Sequence, residues 1–295
     1  MPVHGDDTAT VAQTRLAPPR VRPECIRRPR LAGRLVEPES TTVVITGPAG
    51  SGKSTVMAQA CAVSADGAWL SIQPADNDPA RLWAALTSTL ASAVPGFDPT
   101  FLGQLNALQP PSVDNVVAAV VNGLATHNAP VRLFIDDVHL LTDPDCLRSL
   151  ESFLQLRPPT VAVVLGGRAA PPFALRRHEL DGRFVEIGHD ELTMTVDEAR
   201  EMLDAVGVGV SGDDLGRLHD RVEGWVAGLR WAAMAMQEGQ DVTEFVGSAT
   251  SLQSDIGRYL VEELLDRTPE DQRQFILETS ILGDMCAGLC DAVRD

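Results

Sequence analysis

The chain has 295 residues, 44% of them hydrophobic, which suits a globular protein with a full core and, by length, about two domains. Its formal net charge of −17, from 41 acidic against 24 basic residues, opposes nucleic-acid phosphate and argues against direct DNA binding by this chain. The start, Met1-Pro2-Val3-His4-Gly5-Asp6-Asp7, has no apolar signal core, and no apolar run approaches the ~18 residues of a membrane span, so a cytoplasmic protein without a membrane partner is expected.

Residues 1–25 carry turn formers and charge but little periodicity, which predicts a poorly ordered leader. The stretch from Arg15 to Arg34 holds seven arginines against Glu24 alone and reads as a solvated, Pro-punctuated arm. From Thr41 to about Ile187, short apolar strands alternate with helical stretches. That alternation predicts an α/β fold, a three-layer parallel sheet covered on both faces, over residues 26–190. The strands are expected at Thr41–Thr46, Ala68–Ile72, Val131–Ile135, Thr160–Leu165 and Arg183–Ile187. The helices are expected from Ser54 to Ala62, from Ala80 to Leu90 after the Asp78-Pro79 start signal, from Val113 to Ala125, and after Asp143-Pro144. Only helical periods follow. Thr195 and Glu198 form a capping box, and helices are predicted over Ala199–Val206, Leu215–Val222, Val226–Met236 and Ser251–Leu265, with another after Thr268-Pro269. Residues 191–250 are thus read as a helical domain.

The most informative segment is Gly47-Pro48-Ala49-Gly50-Ser51-Gly52-Lys53-Ser54-Thr55, which satisfies the phosphate-binding P-loop pattern between a strand and a helix. Lys53 is the sole lysine, every other basic residue being arginine. A compact ammonium on a flexible stem enters a ring of backbone amides where a planar guanidinium would not. Gly47, Gly50 and Gly52 let successive N–H groups converge on a β-phosphate, Lys53 reaches the β- and γ-phosphates, and the Ser54 hydroxyl is a Mg²⁺ ligand candidate. The nucleotide is therefore expected to be ATP or ADP.

The Val131–Ile135 strand delivers Asp136 and Asp137 to the edge where such sheets bind ligands. Asp136 is the second Mg²⁺ candidate. Asp137 either orients or deprotonates an attacking water, or holds a structural hydrogen bond. Arg168 ends the next apolar strand and is expected beside these carboxylates, where a cation could read a γ-phosphate. His139 reads as a strand-end hydrogen-bonding residue, Trp225 and Trp231 as core packing near helical spacing, and Arg176-Arg177 as a solvated helix face. The five cysteines, Cys25, Cys61, Cys146, Cys286 and Cys290, fit no zinc spacing and read as free thiols.

Taken together, these strings resemble the nucleotide-binding module of the MalT-like, large LuxR-type transcription regulators, which are STAND-class P-loop ATPases. The resemblance runs from about Arg27 to Val293. It is carried by the P-loop, Ala68-Trp69-Leu70-Ser71, Asp76-Asn77-Asp78-Pro79-Ala80-Arg81-Leu82-Trp83, Phe134-Ile135-Asp136-Asp137-Val138-His139-Leu140-Leu141, Glu223-Gly224-Trp225, Tyr259 to Leu265, and Thr279-Ser280-Ile281-Leu282. It implies a switch: a resting ADP form that exchanges to ATP, self-associates, and hydrolyses slowly as a weak ATPase. It also places Arg168 at the sensor-1 position and makes residues 251–295 the start of a winged-helix domain. In such proteins a helical-repeat sensor and a helix-turn-helix follow, so any DNA contact is expected through a helix-turn-helix beyond Asp295. The histidine that often holds ADP would also lie beyond the end. One departure is internal: the family's frequent Gly-Trp-Pro reads Gly224-Trp225-Val226 here.

A working P-loop enzyme of another class, a motor ATPase or a small-molecule kinase, is the alternative, and an inert nucleotide-binding remnant is a third reading. From charge alone, the isolated chain is expected not to shift duplex DNA at physiological salt. A mobility shift at sub-micromolar protein would contradict this and turn attention to Arg15–Arg34.

Overall fold

The computed structural model describes residues 11–36, 42–98, 112–127, 130–173, 184–247, 270–282 and 285–294. Five strands, β1 (Thr42–Thr46), β2 (Gly67–Ser71), β3 (Val131–Asp136), β4 (Val161–Gly167) and β5 (Phe184–Ile187), form one sheet in the order β2-β3-β4-β1-β5. Every pairing is parallel. Strands β3 and β4 are buried along their whole length, as expected for a sheet with both faces covered, and this is why they read as unbroken apolar runs.

The faces are covered by α1 (Pro29–Val36), α2 (Lys53–Val63), α3 (Pro79–Ala93), α4 (Val113–His127) and α5 (Pro144–Leu156). On one face Leu82, Trp83 and Leu86 of α3 pack with Val117 and Val120 of α4 and with Leu150 and Phe153 of α5. Trp83 meets Phe153 edge-on at 5.8 Å and donates its Nε1–H to Ser149 Oγ at 3.0 Å, which satisfies its buried polar handle. On the other face Leu31 and Leu35 of α1 join Val56 and Met57 of α2, with Trp69 stacked on Phe134 at 6.1 Å. The helix starts are where the start signals put them. Asp78 accepts from Arg81 N at 2.9 Å, and Asp143 accepts from Asp145 N and Cys146 N at 3.0 and 2.9 Å.

A one-turn helix, α6 (His189–Leu192), leads into a helical region of α7 (Val196–Ala205), α8 (Gly212–Val222), α9 (Val226–Gln237) and α10 (Val242–Gly247). Its core gathers Leu203, Leu215, Leu218, Leu229 and Phe245, together with Ile26 from the N-terminal segment. Two further helices, α11 (Glu270–Thr279) and α12 (Ala287–Arg294), are joined by a 2.8 Å contact from Arg294 Nε to Glu278 Oε2. The helix expected over Ser251–Leu265 lies outside the described residues, as do Arg176 and Arg177. Among the described residues no helix is long and apolar enough to cross a membrane.

The leader differs from expectation. Residues 11–25 are in place: Gln13–Leu16 forms a 3₁₀ turn, and Val11 and Leu16 pack against the core beneath α3. The cause is a charge requirement elsewhere. Asp76 is 1% exposed, and the Arg15 guanidinium contacts both of its carboxylate oxygens. A carboxylate so buried needs a cation, and this chain draws it from a segment with no periodicity to betray its place.

Arginines of α1 and the residue before it hold the start of the helical region. Arg28, 3% exposed, donates to Leu192 O and Thr193 O at 2.9 Å each and to Glu198 Oε2 at 3.0 Å. Arg30 donates to Glu198 Oε1 at 2.8 Å and to Glu191 O and Thr193 O at 2.7 Å, and Arg34 pairs with Glu191. Burial works against ionising Glu198, yet the hydrogen bonds from Arg30, Arg28 and the Thr195 backbone hold its carboxyl at about 2. Since that lies below the ordinary value, its contribution is complete above about pH 4.5 and is lost as pH falls towards 2. Relative to Glu198→Gln, the wild type should therefore lose roughly 1–2 kcal/mol of unfolding free energy between pH 5 and 2, after allowing for solvent screening. Urea titrations of both proteins across that range check this, and parallel curves would refute it.

Candidate nucleotide-binding site

The P-loop joins β1 to α2. Gly50 (φ 72°) and Gly52 (φ 86°) adopt the left-handed conformation that only glycine enters without strain, and this curls the loop around the first turn of α2. That turn carries Lys53, Ser54 and Thr55 and no acidic residue, so its positive end is not neutralised from within. Lys53 is 8% exposed, and its Nζ donates to Gly47 O at 2.7 Å, Pro48 O at 2.8 Å and Ser51 Oγ at 3.3 Å. Burial lowers the Lys53 pKa, Asp136 and Asp137 act against that, and the Arg168 charge adds to it. Lys53 thus lies within electrostatic reach of Asp136, Arg168 and Asp137.

Asp136 ends β3 at 4% exposure. Its carboxylate accepts a hydrogen bond from Asp137 N at 2.9 Å, and the Ser54 side chain lies close enough to favour its charged form. Burial raises its pKa, the Ser54 side chain opposes the rise, and the Asp137 charge adds to it. The sheet order explains the meeting. Strand β4 lies between β1 and β3, and its Gly166 leaves room at the edge: a Cβ there would lie 2.9 Å from Asp136 Oδ1 and would strike Met57 Sδ. Arg168 follows that same strand.

Asp137 is placed differently from its neighbour. Its side chain is about half exposed, and its backbone is left-handed (φ 58°, ψ 31°), a conformation that Asp tolerates better than most residues. It opens the 3₁₀ turn Val138–Leu140, with its Oδ1 3.9 Å from His139 Nδ1.

Ser54 and Asp136 are hard oxygen donors side by side at a helix N-terminus. This set suits Mg²⁺, which takes one or two protein oxygens and fills its remaining positions with water and phosphate. Among the described residues no group of three or more His, Cys, Asp or Glu side chains could hold a metal. That excludes a protein-only cage there and leaves the two-oxygen arrangement. The left-handed glycines, the buried ammonium and this oxygen pair fit a Mg²⁺-nucleotide.

The helical region reaches the loop directly. Trp225 Nε1 donates to Ala49 O at 3.1 Å and Ala227 N to Gly50 O at 3.0 Å. A Cβ on Gly47 would lie 3.0 Å from Leu192 Cδ1, and one on Gly52 3.5 Å from Val226 Cγ2. Trp225 is therefore not simply a core residue, as its spacing with Leu229 suggests. Its ring rests on the P-loop because the left-handed Glu223 and Gly224 turn the chain back towards the nucleotide domain. This contact, and the roles of Arg15, Arg28 and Asn77, escaped the sequence reading. Only the Asp76-Asn77-Asp78-Pro79 and Glu223-Gly224-Trp225 strings carried a signal for them.

Comparison with known proteins agrees with this geometry. The AAA ATPase domain family matches residues 30–165, and the MalT winged helix domain family matches residues 261–295. The chain is MalT-like. The HTH-type transcriptional regulator MalT of Serratia proteamaculans is 29% identical over 265 residues, covering 88% of this chain and 29% of that protein. MalT of Klebsiella pneumoniae is 29% identical over 249 residues, covering 82% and 27%. The chain thus spans under a third of the length of these relatives. A STAND protein with a tetratricopeptide repeat sensor from Pyrococcus horikoshii shares the fold, with a TM-score of 0.55 at 16% identity over 91% of this chain and 36% of that one.

For this MalT-like module, Gly50→Ala tests the seating of the helical region on the loop. The new methyl would meet Ala227 Cβ at 2.6 Å on a backbone that disfavours any side chain. A cost of roughly 2–4 kcal/mol is expected from strain and overlap combined, measured by urea unfolding. A change below 0.5 kcal/mol would mean the contact is not held in solution.

Proposed function

We propose that this chain is the nucleotide-binding signalling module of a MalT-type transcription regulator, switching between ADP and ATP forms and hydrolysing slowly. The observation that carries the reading is the joint placement of Lys53, Ser54 and Asp136 beneath a P-loop whose outer carbonyls are hydrogen-bonded to the helical region. Chemistry at the loop is thereby linked to domain arrangement, as a switch requires and as an ordinary kinase need not.

In this reading the amides of Gly47–Thr55 bind the phosphate chain and Lys53 leaves its loop carbonyls for the β- and γ-phosphate oxygens. Ser54 and Asp136 would hold Mg²⁺, which when bound would supply neutralisation of phosphate charge. Asp137 orients the attacking water, and Arg168 recognises the γ-phosphate. Any ligand shifts a conformational equilibrium only through differential contacts. Here the Trp225 and Ala227 bonds to the loop form that difference: they persist only for one shape of the Ala49–Gly50 backbone. Self-association belongs to the ATP form, and the protein works in the cytoplasm. A motor or kinase reading would instead demand fast turnover.

Lys53→Ala should weaken ATP binding by on the order of 3 kcal/mol, about 100-fold, by removing a charge-assisted contact. Asp136→Asn should leave metal-free binding nearly intact while abolishing the Mg²⁺ dependence of hydrolysis. Titration calorimetry and single-turnover ATPase measurements test both. Unchanged affinity in the first variant would sink the P-loop role, and wild-type turnover of about 1 s⁻¹ or faster would favour a dedicated enzyme.

A further inference from the structure

Asn77 lies outside the P-loop and outside the Asp136-Asp137 pair, yet its side chain uses both ends of its amide on the turn that follows Asp137. Its Oδ1 accepts from Thr142 N at 2.6 Å, Asp143 N at 2.9 Å and Thr142 Oγ1 at 3.3 Å. Its Nδ2 donates to Leu140 O at 2.7 Å and to Pro74 O at 3.2 Å. Leu140 N in turn donates to Asp137 O at 2.9 Å, so the turn that Asn77 closes is the one Asp137 opens. The left-handed backbone of Asp137 is a strained state, and such states persist only when the surroundings over-determine them.

Asn77 is itself held from behind. Asp76 accepts from Gln73 N at 2.8 Å and takes both contacts of the Arg15 fork, while Arg15 Nε reaches Ser71 O at 3.2 Å. Ser71 is the register partner of Asp136, and Ile72 N donates to Asp136 O at 3.0 Å. The chain of contacts therefore runs from the N-terminal segment through a buried ion pair to Asn77, and from there to the turn carrying Asp137. An asparagine can do this where other residues cannot, since it offers donors and acceptors at one short reach with no charge to compensate.

We propose that Asn77 is a positioning residue for Asp136 and Asp137, braced by the Arg15–Asp76 pair. The proposal rests on the nucleotide-site reading, with Asn77 touching neither nucleotide nor metal. Its role is to hold the left-handed turn that Asp137 opens, so its loss acts on metal-dependent steps and leaves the P-loop alone.

The test compares wild type, Asn77→Ala and the milder Arg15→Lys, which retains the charge and loses the fork. Four readouts are needed: ATP affinity without metal, the tightening of that affinity by Mg²⁺, single-turnover hydrolysis, and hydrogen exchange of the 138–143 amides without nucleotide. Asn77→Ala should keep metal-free affinity within about twofold. It should reduce both the Mg²⁺-dependent tightening and single-turnover hydrolysis about tenfold or more, and speed exchange at Thr142 and Asp143. Arg15→Lys should shift the same quantities in the same direction by less. Unchanged Mg²⁺ tightening in both variants, or an equal fall with and without metal, would overturn the proposal. If wild type itself binds no ATP, the nucleotide reading fails. The exchange arm then still decides the brace, since unaltered protection at 138–143 in Asn77→Ala would refute it.

Discussion

Five parallel strands end at one edge of this sheet, and the residues placed to do chemistry follow those ends. The P-loop follows β1, Asp136 closes β3, Arg168 comes just after β4, and the linker to the helical region leaves β5. Because β4 is inserted between β1 and β3, the P-loop and Asp136 flank the end of one strand, and its Gly166 leaves the space that Met57 and the Asp136 carboxylate occupy. Strand order, more than any single residue, makes the site.

Burial then dictates how the charges are arranged. Lys53, Asp136, Asp76, Arg15 and Arg28 are all nearly inaccessible; Lys53 is satisfied within its own loop, whereas Arg15 with Asp76 and Arg28 with Leu192 and Glu198 join distant parts of the chain. Taking a charge out of water is costly unless its hydrogen-bonding capacity is met, so these pairings also fix where segments lie. Arg15 ties the N-terminal segment to the end of β2. Arg28 and Arg30 tie the start of α1 to Leu192, Thr193 and Glu198, where the helical region begins. The segments flanking the nucleotide domain are thus held by ion pairs and carbonyl contacts as well as by the apolar packing of Leu16, Ile26, Leu31 and Leu192.

The hydrogen bonds from Trp225 and Ala227 to the P-loop belong to the same logic. A P-loop offers its amides inward and leaves carbonyls facing out, and here Ala49 O and Gly50 O are taken by the helical region. Val226 lies against Gly52. Ala227, one residue further on, keeps an N–H free to donate to Gly50. The helical region is thereby coupled to the backbone that would receive phosphate, without any side chain entering the phosphate position.

Much of the fold was legible in the residues. Thr42–Thr46, Val131–Asp136 and Val161–Gly167 are buried on both sides and so appear as plain apolar runs. Asp78-Pro79, Asp143-Pro144 and the Thr195–Glu198 box mark helix starts through short-range hydrogen bonds. The P-loop was legible for a similar reason, since glycine spacing and one lysine specify a local backbone shape. What stayed hidden depends on contacts across long stretches of chain. No local pattern shows that Arg15 answers Asp76, that Asn77 closes the turn after Asp137, or that Trp225 leaves the helical core for the P-loop. A hydrogen bond between residues 61 to 176 positions apart leaves no periodicity in either segment. Sequence alone determined which local structures could form and which carried phosphate-binding chemistry. The tertiary structure decided which buried charges meet, because only the packed sheet edge brings them within reach.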